Sequence, residues 1–196
     1  MISGAVDFGV RMLPGVLLAL AVYAALLPAR RRKLIRSGQV SPVLREAALL
    51  VFVLFCGGLA LLTLTPRWFH WLELLRGGQA GHPPYFTPGN AVFTPFHSFA
   101  LDEWSLLIFL GNVVMFLPIG FFPSLLFSRF TGKKALATGL CTTLFIELSQ
   151  LFIGRSFDVD DLMLNTLGVL LGHWLCVLLR RLAPQFTTAF EMRNQA

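Results

Sequence analysis

Long apolar runs separated by short polar connections dominate this chain. Five runs are long enough to cross a bilayer as helices, because about 30 Å of hydrocarbon requires about 20 helical residues. They are Met12–Leu27, Ala47–Thr65, Trp104–Phe127, Ala135–Ile153 and Leu162–Leu179. Only one connection, Pro66–Glu103, is long. We therefore expect an all-α polytopic membrane bundle with five transmembrane helices, forming a single membrane domain over residues 1–196.

Composition and charge agree with this class and add an orientation. The chain is 56% hydrophobic and 13% charged, which is too apolar for a soluble domain. Of its 16 Lys and Arg, 12 lie in one alternate set of connections, including the Arg30–Arg36 cluster. The positive-inside rule then predicts an outside N-terminus and a cytoplasmic C-terminus. The net charge of +6 thus sets orientation and implies no nucleic-acid partner.

Local signals refine the ends and contacts of the helices. Met1–Val10 is expected to be a short outer tail, with Pro14 near the first turn of the opening span, where proline is tolerated. Gly57 and Gly58 favour close helix packing. The first part of Pro66–Glu103 mixes charged with aromatic residues, which is typical of an amphipathic interfacial helix. This segment could anchor the outer loop or contribute a substrate-binding surface.

Polar residues within the last three spans need a separate explanation. Ionisable groups at membrane depth cost a few kcal/mol at least, so they usually face a bundle interior or a wet cavity and mark function. With the predicted topology, four polar residues share the outer half of the bilayer: Asn112, Glu147, Gln150 and Asn165. The connection just above them contains Arg155, Asp158, Asp160 and Asp161. We expect one polar pocket that opens outward.

Several roles remain open for these residues. Asp158, Asp161 and Asn165 form a polar stripe if the last helix has begun at Asp158, whereas Asp158 or Asp160 could instead be its N-cap. Glu147 is either a candidate general acid or base or a hydrogen-bonded residue that locks helices together. The aspartates and Glu147 could hold a hard cation, but no metal-ligand spacing is diagnostic.

Small and sulfur-containing residues favour packing over chemistry. Gly168 and Gly172 have the small-xxx-small spacing of close helix contact. His173 lies on an apolar helix, where a hydrogen-bonded packing role is expected. All three cysteines fall within predicted spans and form no disulfide or metal pattern. We therefore predict no cofactor and no metal site.

Spaced motifs between Asn90 and Gly172 resemble the VanZ-like family of small bacterial membrane proteins. The motifs are Asn90 with Pro95-Phe96, Asn112-x-x-x-Phe116-x-Pro118-x-Gly120, Glu147-x-x-Gln150, and Arg155-x-x-Asp158-x-Asp160-Asp161-x-x-x-Asn165-x-x-Gly168-x-x-x-Gly172. They define a VanZ-like core over residues 61–172. The resemblance implies a multi-pass protein of the bacterial cytoplasmic (inner) membrane. It also implies a link to resistance against the glycopeptide antibiotic teicoplanin, with which the family's named member is associated.

Two functional hypotheses follow. The first is a non-catalytic outer-leaflet pocket that binds a lipid-linked or other cell-envelope component and so affects teicoplanin susceptibility. Its expected ligand-binding residues are Asn112, Gln150, Arg155, Asp160 and Asn165. The second is a membrane-embedded hydrolase or transferase acting on a lipid-linked substrate. Its catalytic candidates are Glu147 as general acid or base, with Asp158 and Asp161 orienting the substrate or a cation.

Overall fold

Five long helices account for most of the structure, a computed structural model that describes residues 2–65, 91–95, 103–153 and 155–194. The long helices are α1 (Ile2–Arg36), α2 (Val43–Leu64), α3 (Glu103–Leu126), α4 (Gly132–Phe152) and α5 (Val159–Leu182), followed by a short α6 (Pro184–Thr188). The strands have two residues each: β1 (Gln39–Val40), β2 (Ala91–Val92), β3 (Phe157–Asp158) and β4 (Arg193–Asn194). Within these residues, five helices are long and apolar enough to cross a membrane, which confirms the predicted all-α polytopic bundle.

The first helix begins earlier than expected. α1 already starts at Ile2, so Pro14 lies in its interior and not in its first turn, and Pro28 is also inside it. The prediction placed the start of the helix at the start of the apolar run. Residues before Met12 contain no helix breaker other than Gly4 and Gly9, so the backbone remains helical beyond the apolar stretch. Helix and membrane span therefore need not begin at the same residue.

Glycines bring α3 and α5 into direct backbone contact. A Cβ added at Gly168 would lie 2.3 Å from the carbonyl oxygen of Val113, and one at Gly172 would lie 2.0 Å from that of Leu117. From the opposite side, a Cβ at Gly120 would approach an α5 carbonyl to 1.8 Å. No side chain fits at these points. The predicted packing role of the small-xxx-small spacing is confirmed.

A similar contact joins α1 to α2. A Cβ added at Gly57 would lie 2.5 Å from the carbonyl oxygen of Gly15 and 2.4 Å from the Cβ of Ala19. The expected close packing at Gly57 is therefore confirmed. Two tightly packed helix pairs, α1–α2 and α3–α5, form the framework, and α4 packs chiefly against α5.

The surface of the bundle is rich in apolar side chains. The core between the helices contains Leu59, Phe116, Ile119, Ala135, Ile146 and Val169. Large apolar residues are exposed on every long helix, for example Leu18 on α1, Leu107 on α3 and Trp174 on α5. Such a surface suits lipid, in which apolar side chains need no further cover. The polar groups that could form a functional site therefore lie at the helix ends and between the helices.

Two small strand pairs connect distant parts of the chain. β2 pairs in parallel with β3, with Val92 opposite Asp158, and the rings of Phe93 and Phe157 lie 5.6 Å apart. This pairing joins the last part of the long connection to the segment Arg155–Asp161, which we call the acidic turn. β1 pairs antiparallel with β4 at the end of the bundle that contains the Arg30–Arg36 cluster, which we call the basic end. The predicted interfacial helix in the first part of Pro66–Glu103 lies outside the described residues.

Candidate functional site

Glu147 joins the end of α4 to the acidic turn. Only 1% of its surface is exposed, and its Oε2 accepts a hydrogen bond of 2.9 Å from the backbone N–H of Asp158. Asp158 directly precedes α5, where the helix dipole favours a negative charge. The Glu147 carboxylate therefore satisfies a backbone donor at the start of α5 and fixes the position of that start relative to α4.

Asp158 is the N-cap of α5. Its backbone is extended, and its side chain accepts a hydrogen bond of 2.8 Å from the N–H of Asp160. Such a bond satisfies one of the free donors in the first turn of a helix. The N-cap interpretation is thereby confirmed for Asp158, and the alternative of a helical stripe that starts at Asp158 is wrong. Asp160 itself is 2% exposed.

Asp161 is bound from α3. Its Oδ1 accepts a hydrogen bond of 2.5 Å from Nδ2 of Asn112. The amide thus forms a specific bond between α3 and the first turn of α5. The charges of Asp158 and Asp161 both repel that of Glu147, and the charge of Arg155 opposes them. Three carboxylates from α4 and the start of α5 thus act on one another, and the described residues place the cation of Arg155 near them.

Asn165 lies one turn further into the bundle. It is 4% exposed, and its Nδ2 donates a hydrogen bond of 3.1 Å to Oγ1 of Thr143 on α4. Its Oδ1 and the adjacent Thr166 Oγ1 are buried and have no partner among the described residues. A buried polar atom without a partner costs free energy, so these oxygens favour a bound donor group. Thr143 was missed in the sequence, although its i, i+4 relation to Glu147 puts it on the same helix face.

Gln150 and Arg155 bind the end of α2. Nε2 of Gln150 donates to the carbonyl oxygen of Thr63 at 3.2 Å. Nη1 of Arg155 donates to the carbonyl oxygens of Leu62 and Thr63, at 3.3 Å each. The last carbonyls of a helix lack helical partners, and a cation is favourable there. Both side chains thus close the end of α2 beneath the acidic turn.

The expected site residues therefore meet at one end of the bundle in two layers. Asn112, Glu147, Asp158 and Asp161 form the upper layer, which we call the acidic site. Gln150, Arg155 and Asn165 form the lower layer. Gln150 and Arg155 bind the end of α2, and Asn165 binds Thr143 on α4. Asn90 and Phe96 of the quoted motifs lie outside the described residues. In the part of the chain that the structure describes, no group of three His, Cys, Asp or Glu side chains is arranged to hold a metal ion.

The acidic site offers more hydrogen-bond acceptors than donors. Ionised carboxylates are acceptors only, and they bind ammonium and hydroxyl groups well. The site is also held between three elements, because α3, α4 and the N-terminus of α5 each contribute a side chain. It could therefore bind a polar group presented at the membrane surface without rearrangement of the helices.

Comparison with known proteins identifies the family. Neither the curated proteins nor the solved structures contain a significant match to the chain. The model of the VanZ/LLP1 family matches residues 48–180. This range extends from within α2 to the last turn of α5. It includes every residue of the acidic site and of the layer beneath it. The match covers well over half of the sequence, and the chain therefore belongs to the VanZ/LLP1 family.

Proposed function

We propose that the acidic site binds a cell-envelope component at the outer leaflet without catalysing a reaction on it. The observation that supports this most directly is that the charges of Glu147, Asp158 and Asp161 act on one another, with Arg155 as the cation near them among the described residues. Such a site favours a ligand with amino or hydroxyl groups, which donate hydrogen bonds to carboxylates. Lipid-linked saccharides and peptides of the envelope belong to this class.

The outward orientation rests on charge. The opposite end of the bundle contains the Arg30–Arg36 cluster, Arg129, and Arg180 with Arg181. By the positive-inside rule that end is cytoplasmic, so the acidic site faces outward. A multi-pass protein of the bacterial inner membrane would then present this site to the periplasmic or external side, where envelope precursors are assembled.

The β2–β3 pairing supports a binding role. It fixes Ala91 and Val92, which follow most of the long connection, directly beside the acidic turn. Long connections frequently contribute binding elements when a rigid scaffold positions them. In this proposal the helices supply the acceptors, while Ala91 and Val92 supply a further wall beside them.

The biological consequence in this proposal is altered susceptibility to glycopeptides. Teicoplanin acts on the envelope, and resistance to it is associated with the named member of the VanZ-like family that the chain resembles. Occupation of the acidic site by an envelope component would change how much of that component the antibiotic meets. Binding and susceptibility should therefore respond together to changes in the site.

The test is the teicoplanin susceptibility of a bacterium that expresses the chain or its variants at matched membrane levels. Asn112→Ala and Asp161→Ala remove opposite partners of one hydrogen bond. Ser149→Ala is the matched control, because Ser149 is on α4 but donates only to its own helix, at Phe145. We expect protection by the parent and the control and its loss in both site variants. Equal protection by all four chains would overturn the proposal.

A membrane-embedded hydrolase or transferase is the second candidate. Its support is the burial of Glu147 beside two other carboxylates, an arrangement that suits acid–base work. Asp158 and Asp161 would then orient the lipid-linked substrate. Glu147→Gln keeps an oxygen acceptor for the Asp158 N–H but cannot exchange a proton. Retained ligand binding with lost turnover of a lipid-linked substrate would favour the enzyme, whereas retained protection against teicoplanin would exclude it.

A further inference from the structure

The basic end of the bundle contains two neighbouring cavities, remote from the acidic site. Their volumes are about 420 Å³ and 430 Å³, and they share the lining residues Gln39, Arg45, Leu126, Phe127 and Met192. Chain segments from α1, α2, α3 and the stretch after α6 meet there. The cavities therefore lie where several helix ends and the C-terminal segment come together.

Arg45 lies between the two cavities and is a buried cation. It is 8% exposed, and its Nη1 donates to the carbonyl oxygens of Leu126 and Phe190. The ring of Phe127 lies 5.6 Å from its guanidinium carbon. Its Nε is buried and has no partner among the residues that the structure describes. The guanidinium thus retains a donor that no described residue uses, on a side chain that lines both cavities.

Among the described residues, no carboxylate forms an ion pair with Arg45. The adjacent Glu46 forms its ion pair with Arg30, and the described residues give Arg45 only carbonyl acceptors. A buried cation without an anionic partner is costly, because carbonyl dipoles replace only part of its lost hydration. An anion in the cavities that Arg45 lines would offset this deficit.

The surrounding charges have the same sign. Arg30 and Lys33 line the first cavity, while Arg129 and Arg180 line the second. Glu191 is the single acidic residue that lines either cavity. Leucines from three helices complete the walls: Leu34, Leu49 and Leu125. The site therefore combines a strong excess of cations with apolar walls, which matches an amphipathic anion.

We propose that these two cavities bind the phosphate headgroup of an anionic membrane lipid, with Arg45 as the central cation. Basic pockets between transmembrane helices are suited to such headgroups, and a planar guanidinium matches the oxygens of a phosphate. The acyl chains extend along the apolar sides of the helices. A free phosphate ion shares the headgroup chemistry but would leave the leucine walls unused. This binding site is independent of the function proposed for the acidic site.

The experiment measures lipid binding to the purified full chain in a nonionic detergent. The probes are dioctanoyl phosphatidylglycerol, dioctanoyl phosphatidylcholine and inorganic phosphate. The test variant is Lys33→Gln with Arg129→Gln, which removes two exposed cations from the cavity walls and leaves Arg45 in place. The control is Arg31→Gln with Lys133→Gln, which removes two exposed cations of the same end that line neither cavity.

We expect saturable binding of phosphatidylglycerol to the parent and the control, and about tenfold weaker binding to the cavity variant. Phosphatidylcholine should bind at least about tenfold more weakly than phosphatidylglycerol, because its choline cation is repelled. Equal losses in the cavity and control variants would overturn a defined site. Displacement of phosphatidylglycerol by inorganic phosphate at equal concentration would overturn the lipid as the source of the anion. Unchanged thermal unfolding of both variants ensures that the comparison reports binding.

Discussion

The carboxylate of Glu147 and the backbone N–H of Asp158 are joined by a hydrogen bond of 2.9 Å, although one residue is in α4 and the other caps α5. The bond means that a side chain that looks like a catalytic acid also has a positioning role. A ligand that displaces the Asp158 N–H from Oε2 also releases the start of α5, whereas a ligand that uses the other acceptor positions of the carboxylate leaves α5 in place. The geometry of α5 therefore responds only to a ligand of the first kind.

Substitution of Glu147 should separate these roles. We expect Glu147→Ala to lower the free energy of unfolding by about 2 kcal/mol, because the Asp158 N–H loses its acceptor in a buried place. Glu147→Gln should lower it by less than about 1 kcal/mol, since its amide oxygen can still accept the bond. Unfolding of the purified chain in detergent measures both values. If the Gln variant is as unstable as the Ala variant, the charge and not the acceptor is required.

Asn112 and Asp161 should prove energetically connected in a double-mutant cycle. Their side chains form a charged hydrogen bond across the α3–α5 interface, so the coupling energy for Asn112→Ala and Asp161→Ala should be about 1 to 2 kcal/mol. The cycle is measured by unfolding of the two single variants and the double variant. A control cycle of Asp161→Ala with Ser149→Ala should give no coupling. Additive effects in the first cycle would mean that the two residues act separately.

Gly172 should tolerate no side chain. A Cβ there would lie 2.0 Å from the Leu117 carbonyl oxygen, so Gly172→Ala must push α3 and α5 apart. We expect a loss of about 2 kcal/mol in the free energy of unfolding. The control is Gly111→Ala on α3, where an added Cβ meets no atom within 4 Å. That change should be neutral or slightly stabilising, because alanine is the better helix former. Equal stability of the two variants would contradict the close contact.

Arg45→Gln should loosen the C-terminal segment. The guanidinium binds the Phe190 carbonyl oxygen at 2.9 Å, and glutamine is too short to reach the same acceptors together. We expect amide hydrogen exchange across Pro184–Asn194 to accelerate by roughly tenfold, with α3 and α5 little changed. Arg36→Gln is the control, because Arg36 is exposed at the same end. Equal exchange in both variants would show that the segment is held by other contacts.

Much of the fold is readable from the sequence because each span must satisfy its own backbone within lipid. That constraint makes apolar length a sufficient signal, and the glycine spacing on α5 correctly predicts a close helix contact, although it does not show that the partner is α3. The start of α1 was not predictable in this way, because helix outside the apolar run has no hydropathy signal. The polar residues of the last three spans were also predicted to lie together, since charge at membrane depth is rare and usually faces a bundle interior.

The hydrogen-bond partners of the site residues could not be predicted from the sequence. Gln150 and Arg155 bind the end of α2, residues Leu62 and Thr63, and these acceptors are backbone carbonyls that no side-chain pattern marks. The β2–β3 pairing is similarly hidden, because two-residue strands have no periodicity. In the sequence, Arg45 is one of the 12 cations that set the predicted orientation. Only the packing shows that it is buried between α3 and the C-terminal segment.

The bond from Arg45 to Phe190 spans 145 positions of the chain, which has a consequence for biogenesis. α2 enters the membrane early during synthesis, whereas its guanidinium acquires this acceptor only after α6 has left the ribosome. The β1–β4 pairing is completed equally late. Until then, the basic end of the nascent chain is open and its cations are exposed to lipid and to the insertion machinery. This end of the bundle is therefore completed later in synthesis than the α1–α2 contact, which can form once α2 is inserted.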